Sequence, residues 1–69
     1  MFTYVYRVKL ISIGNPITVF GAHYDVNERS GVLTIYERIR QDGEWANVPT
    51  LNAAHGEWRW IRTIGHRDE

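Results

Sequence analysis

The chain lacks cysteine altogether, has two prolines and one lysine, and carries no net charge, eight basic residues balancing eight acidic ones over 69 positions. Without cysteine there is neither a disulfide framework nor a thiolate zinc site, the devices that most often reinforce so short a chain. A reducing cytosol is permitted. The opening run "MFTYVYRVKLISI" is apolar, but it lacks a basic flank and a small-residue cleavage site, and Arg7 and Lys9 interrupt it. It reads as neither a signal peptide nor a membrane span, so the expectation is a cytoplasmic protein without a membrane partner. Zero net charge offers no overall pull toward nucleic acid or anionic lipid. No repeat, linker or low-complexity run is present, and no stretch holds a 3.6-residue apolar period long enough for a helix.

What is present is a series of β-runs separated by turn residues. Phe2 to Ile13 alternates, with Phe2, Tyr4, Tyr6, Val8 and Leu10 on one side and Thr3, Val5, Arg7 and Lys9 on the other. "GNP" at 14–16 turns the chain, and Ile17 to Val26 follows as a second strand with Gly21 as a bulge or kink. "NERSG" at 27–31 turns it again, and Val32 to Arg40 is a third strand. The Asp-Gly pair in "QDGE", 41–44, predicts a tight hairpin. Trp45 to Val48 is a short strand that Pro49 stops. Leu51 to Ala54 fits a short strand or a helical turn, and Gly56 breaks the chain before a last strand, Trp58 to Ile64. Residues 1–65 form a single β-domain, with 66–69 as a frayed charged tail. The expected architecture is all-β: a small antiparallel meander of five to six strands, as a partly closed barrel or an SH3-like fold.

The alternation slips in two places. Ile11 and Ile13 are out of phase with Tyr4 to Leu10, and Trp58 and Ile61 stand three apart, so a regular strand cannot bury both on one face. Either bulges shift the phase, or both faces are partly covered. For a chain of this length burial and ordering nearly offset each other, so closure into a barrel or pairing with another copy would both help.

The order of these pieces resembles a loose family of small, mostly uncharacterised β-proteins of actinobacteria and their phages. The matching segments are "YRVKL" (Tyr6 to Leu10), "ITVFGAHYDV" (Ile17 to Val26), "GVLTIY" (Gly31 to Tyr36) and "AAHGEWRWI" (Ala53 to Ile61). The connection between Trp45 and Asn52 is longer than the family pattern. The resemblance implies a compact β-fold and a phage origin, and hence the cytoplasm of a bacterial host. It implies no activity.

Chemical site parts are missing. Ser12, Ser30 and the threonines sit in no nucleophile elbow, and Ser30 lies in a turn, where serine is common for conformational reasons. His23 and Asp25 share a strand face, but His55 and His66 add no ligand spacing, and a hydrogen-bonded strand histidine is the commoner case. The glycines stand singly, so no phosphate loop is present. The reading is of a protein that is no enzyme and has no cofactor and no metal.

The stretch "EWRWIRT", 57–63, places Trp58, Trp60 and Arg62 on one strand face, Arg59 and Ile61 on the other. Trp58 is expected in the core. Trp60, Arg59 and Arg62 are expected at an interface with another copy, since Trp and Arg are enriched at hot spots and open strand edges invite pairing. The function expected is that of a self-associating β-module, an accessory or structural protein of phage type. The alternative is a small regulator that binds nucleic acid or a host protein through Arg38, Arg40, Arg59, Trp60 and Arg62. Glu37, Glu44 and Glu57 weigh against nucleic acid, because pairs such as Arg38 or Arg40 with Glu57 would consume the cations.

Overall fold

A computed structural model describes residues 2–68, and the side chains of residues 3–67. Its elements are β1 (Phe2–Leu10), β2 (Ile17–Gly21), β3 (His23–Val26), β4 (Leu33–Gln41), β5 (Glu44–Ala53) and β6 (Trp58–Asp68). The fold is all-β, as the alternation predicts, with no helix among the described residues. The strands form two antiparallel three-stranded sheets, ordered β2-β1-β6 and β3-β4-β5. The barrel is not closed, for β5 and β6 do not pair.

Gly21 joins the sheets. The expected second strand divides there into β2 and β3, and the chain passes from one sheet to the other through Ala22, whose N–H donates to the Tyr36 carbonyl at 2.7 Å. A Cβ on Gly21 would stand 2.7 Å from Ile35 Cγ2 and 2.9 Å from the Tyr36 carbonyl oxygen, so only glycine lets the backbones approach this closely. The inner faces of the two sheets meet in a core of five buried residues: Tyr6 and Val8 from the first, Leu33, Ile35 and Ala53 from the second. Leu10, Ile17, Val19, Val26, Leu51, Trp58 and Ile61 pack around them.

Both slips in the alternation have local causes. β1 ends at Leu10, so Ile11 and Ile13 belong to the following turn, where they are exposed. In β6 a bulge at Arg59 changes the register, setting Trp58 against Leu10 and Ile61 against Val8. Leu10 and Val8 share the inner side of β1, so the bulge brings both apolar residues to the core. A second irregularity separates Gly65, opposite Val5, from Thr63, opposite Tyr6.

Two boundaries move. Pro49 does not stop a strand, because β5 runs unbroken from Glu44 to Ala53. It is an edge strand, where a missing N–H is tolerated, and the register shifts beside it. The strand alternative for Leu51 to Ala54 therefore holds through Ala53. β6 continues past Ile64 to Asp68, with His66 opposite Tyr4 and Arg67 opposite Thr3. Residues 66–68 are thus strand rather than frayed tail, since the first residues of β1 need that partner; Glu69 lies outside the described residues.

The hairpin at Asp42 and Gly43 forms as expected, with positive φ at both (52° and 80°), as a two-residue type I′ turn requires. The hairpin also projects. β3 reaches only as far as His23 opposite Tyr36, and from Glu37 onward β4 pairs with β5 alone. The molecule is correspondingly long, 38 × 25 × 17 Å.

Candidate functional site

The outer face of the first sheet gathers cations. Across β1, the register places Lys9 opposite Trp60, Arg7 opposite Arg62 and Thr3 opposite Arg67. On the other side of β1, Thr18 faces Arg7 and Phe20 faces Val5. Among the residues whose side chains are described, no aspartate or glutamate occupies a register position of that face. The Arg62 guanidinium lies 4.8 Å from the Trp60 ring centroid, and that of Arg67 lies 4.8 Å from the Phe20 ring. Lys9 is committed elsewhere, its Nζ donating to the carbonyls of Ile13 and Gly14 at 2.6 and 2.7 Å and thereby closing the β1–β2 turn. Arg7 and Arg62 remain as two exposed guanidinium groups directly across a strand pair, an arrangement that repels. Trp60 is half-buried beside them, and Phe20 is 48% exposed.

A second aromatic–cation cluster stands on the projecting hairpin. Arg40 lies opposite Trp45 and Arg38 opposite Asn47. The Arg38 and Arg40 guanidinium groups lie 5.6 and 5.8 Å, respectively, from the Trp45 ring, which is 47% exposed. Glu37, Ile39 and Gln41, with Val48, Ala46 and Glu44 opposite them, alternate onto the other side of the ribbon.

The five residues expected to form one nucleic-acid surface are therefore divided. Arg38 and Arg40 lie on the outer side of the second sheet, Trp60 and Arg62 on that of the first, and Arg59 is the exposed bulge residue. The expected pairing of Arg38 or Arg40 with Glu57 is overturned. Glu57 sits in the turn before β6, where its carbonyl accepts from Ile11 at 2.9 Å and its N–H donates to Ala54 at 2.9 Å. Of the acids that weighed against an anionic ligand, Glu37 and Glu44 lie on the hairpin of the second sheet, and Glu57 lies in the turn at one end of the first.

Other candidates have structural places. The His23 ring stacks on Tyr36 at 4.7 Å. The Ser30 hydroxyl accepts from the Val32 N–H, and Asn27 Oδ1 accepts from the N–H groups of Arg29 and Ser30, so these residues shape the turn. Trp58 packs half-buried against the core, and its Nε1 donates to the Gly31 carbonyl at 2.9 Å. At the open end Tyr6 meets Tyr24 edge-on at 5.3 Å and stacks on Tyr4 at 6.1 Å. Burial raises the Tyr6 hydroxyl pKa, with Tyr4 and Tyr24 adding to it.

Arg7 and Phe20 escape a sequence reading. The period-two pattern puts Arg7 outward, but its neighbour across the sheet depends on where β6 bulges, which the spacing of Trp58 and Ile61 does not fix. No family model, curated protein or solved structure matches the chain; the geometry alone bears on function.

Proposed function

We propose that the protein is a non-enzymatic β-module that self-associates through the free edge of its projecting hairpin, in the accessory or structural role the phage resemblance implies. The observation that carries this is the ribbon of residues 37–48, which has no third strand, a bare β5 edge and a half-exposed Trp45. Two-stranded ribbons are marginal alone, and exposed edges template pairing.

The edge fits a second copy of itself. Its usable length runs from Glu44 to Val48, since Pro49 offers no N–H. Antiparallel pairing across a two-fold axis sets Ala46 against Ala46, Glu44 against Val48 and Trp45 against Asn47, so no like charges meet. Of the other edge strands, β6, the longest, is less suited. Centred on Thr63 it would oppose Arg59 and Arg67, and a two-fold contact through the Trp60 face would bring Arg7 and Arg62 against themselves. Trp60, Arg59 and Arg62, expected from the sequence to hold the interface, are thus better read as a face that stays free of other copies.

The test is sedimentation over a hundredfold concentration range. Wild type is expected to associate reversibly, and weakly, because so short an edge buries little area. Ala46→Lys is expected to weaken association at least tenfold, and mixing Ala46→Lys with Ala46→Glu to restore it as a heterodimer. A wild type that stays monomeric throughout ends the reading.

A further inference from the structure

We infer that the outer face of the first sheet binds single-stranded nucleic acid, with Arg7 and Arg62 on a backbone phosphate and the Phe20 and Trp60 sites receiving bases. Three observations converge. Arg7 and Arg62 oppose each other across β1 and β6, and among the residues whose side chains are described no carboxylate occupies a register position of the face. A protein tolerates such repulsion most readily where an anion relieves it, and two arginines at directly opposed strand positions are within reach of the oxygens of one phosphate. The flanking rings, each under an arginine, offer ring or guanidinium planes on which a base can stack.

The spacing fits a strand. Phe20 is level with Val5 and Trp60 with Lys9, so the two aromatic sites are four residues apart along β1 and two strands apart across it. Standard strand dimensions put them about 16 Å apart diagonally, with the arginine pair between them. A ligand that meets both must present planar groups separated by negative charge. A single strand does so; a duplex hides its base faces, and this face is a three-stranded sheet rather than a ribbon or helix shaped for a groove. The interleaved acids of the sequence are off the face itself, since Glu37 and Glu44 lie on the hairpin and Glu57 in the turn before β6.

The site is separate from the hairpin edge, so its failure and that of self-association are distinguishable. The probe is a short fluorescent oligothymidylate, followed by anisotropy between about 50 and 200 mM salt. Wild type and Ala46→Lys are both expected to bind, with affinity falling as salt rises. Arg7→Gln and Arg62→Gln should each flatten the log–log salt slope by about 0.7 and weaken binding about fivefold near 0.1 M salt, the loss of one phosphate contact. Phe20→Ser and Trp60→Leu should weaken binding and leave the slope unchanged, since stacking releases no counterions. Removing the repulsion means that Arg7→Gln melts no lower than wild type, so its loss of binding is not loss of fold. Absence of an anisotropy change overturns the inference, as does a duplex that competes better than the single strand. Ring variants that bind as wild type does overturn it too, for the face would then recognise charge alone.

Discussion

Two side chains carry testable consequences of their own. Trp58 is half-buried, yet it joins the turn before β4 to the start of β6 through its bond to the Gly31 carbonyl. Trp58→Ala is expected to cost about 3 kcal/mol, the low end for a truncated tryptophan, because part of the ring already meets water. Trp58→Phe keeps most of the packing and loses the bond, at about 1 kcal/mol. Chemical denaturation separates the two, and equal losses would mean that the hydrogen bond rather than the ring matters. Tyr6 makes a pH prediction. Its folded pKa is raised above the ordinary tyrosine value of 10.0, chiefly by burial, so above that pH the unfolded chain loses the proton more readily than the folded one. Stability is therefore flat in this group below pH 10 and declines as pH rises through the folded pKa. The melting temperature of wild type should fall between pH 9 and 11 by more than that of Tyr6→Phe, and parallel curves would contradict the assignment.

Elements were readable from the sequence where one pattern sufficed. The Asp42-Gly43 turn and the kink at Gly21 follow from turn chemistry, and the shared face of Tyr6 and Val8 from period two. Where two elements had to be related, the sequence was silent. Nothing local says that Pro49 lies on an edge strand, where it is harmless, and the spacing of Trp58 and Ile61 allows a bulge without saying that it falls at Arg59 and sets Arg62 opposite Arg7. The candidate face was legible in its residue types, Trp60 and Arg62, and illegible in its membership. The hairpin supports a prediction at this scale. Gly43 holds φ at 80°, so Gly43→Ala strains the turn by about 1–2 kcal/mol. Because residues 37–48 pack on no third strand, that cost should appear as local opening. Amides of residues 38–47 are expected to exchange faster, while those of Val8 and Ile35 keep wild-type protection. Uniform loss of protection would show that the hairpin and core open as one.

The molecule as a whole is under-buried. A monomer of 8.1 kDa is expected to expose about 4,500 Å², and this chain exposes 5052 Å² around a core of five residues. Part of that excess is half-exposed ring and aliphatic surface: Tyr4, Phe20, Tyr24, Trp45 and Ile64. At about 0.05–0.15 kcal/mol per residue a domain this size holds only a few kcal/mol in reserve. Any partner of the folded state then shifts melting visibly. When free protein reaches ten times its self-association constant, linkage adds about 1.4 kcal/mol. For 60–100 residues each kcal/mol moves the midpoint by about 4–8 °C, so wild type should melt about 5–10 °C higher at that concentration than when dilute. Ala46→Lys, with its hairpin edges repelling, should melt near the dilute wild-type temperature at every concentration. If wild type and variant rise together, association uses another surface. If neither moves, the folded chain is a monomer, and its exposed aromatic surface is held for a ligand such as the nucleic acid proposed for the first sheet.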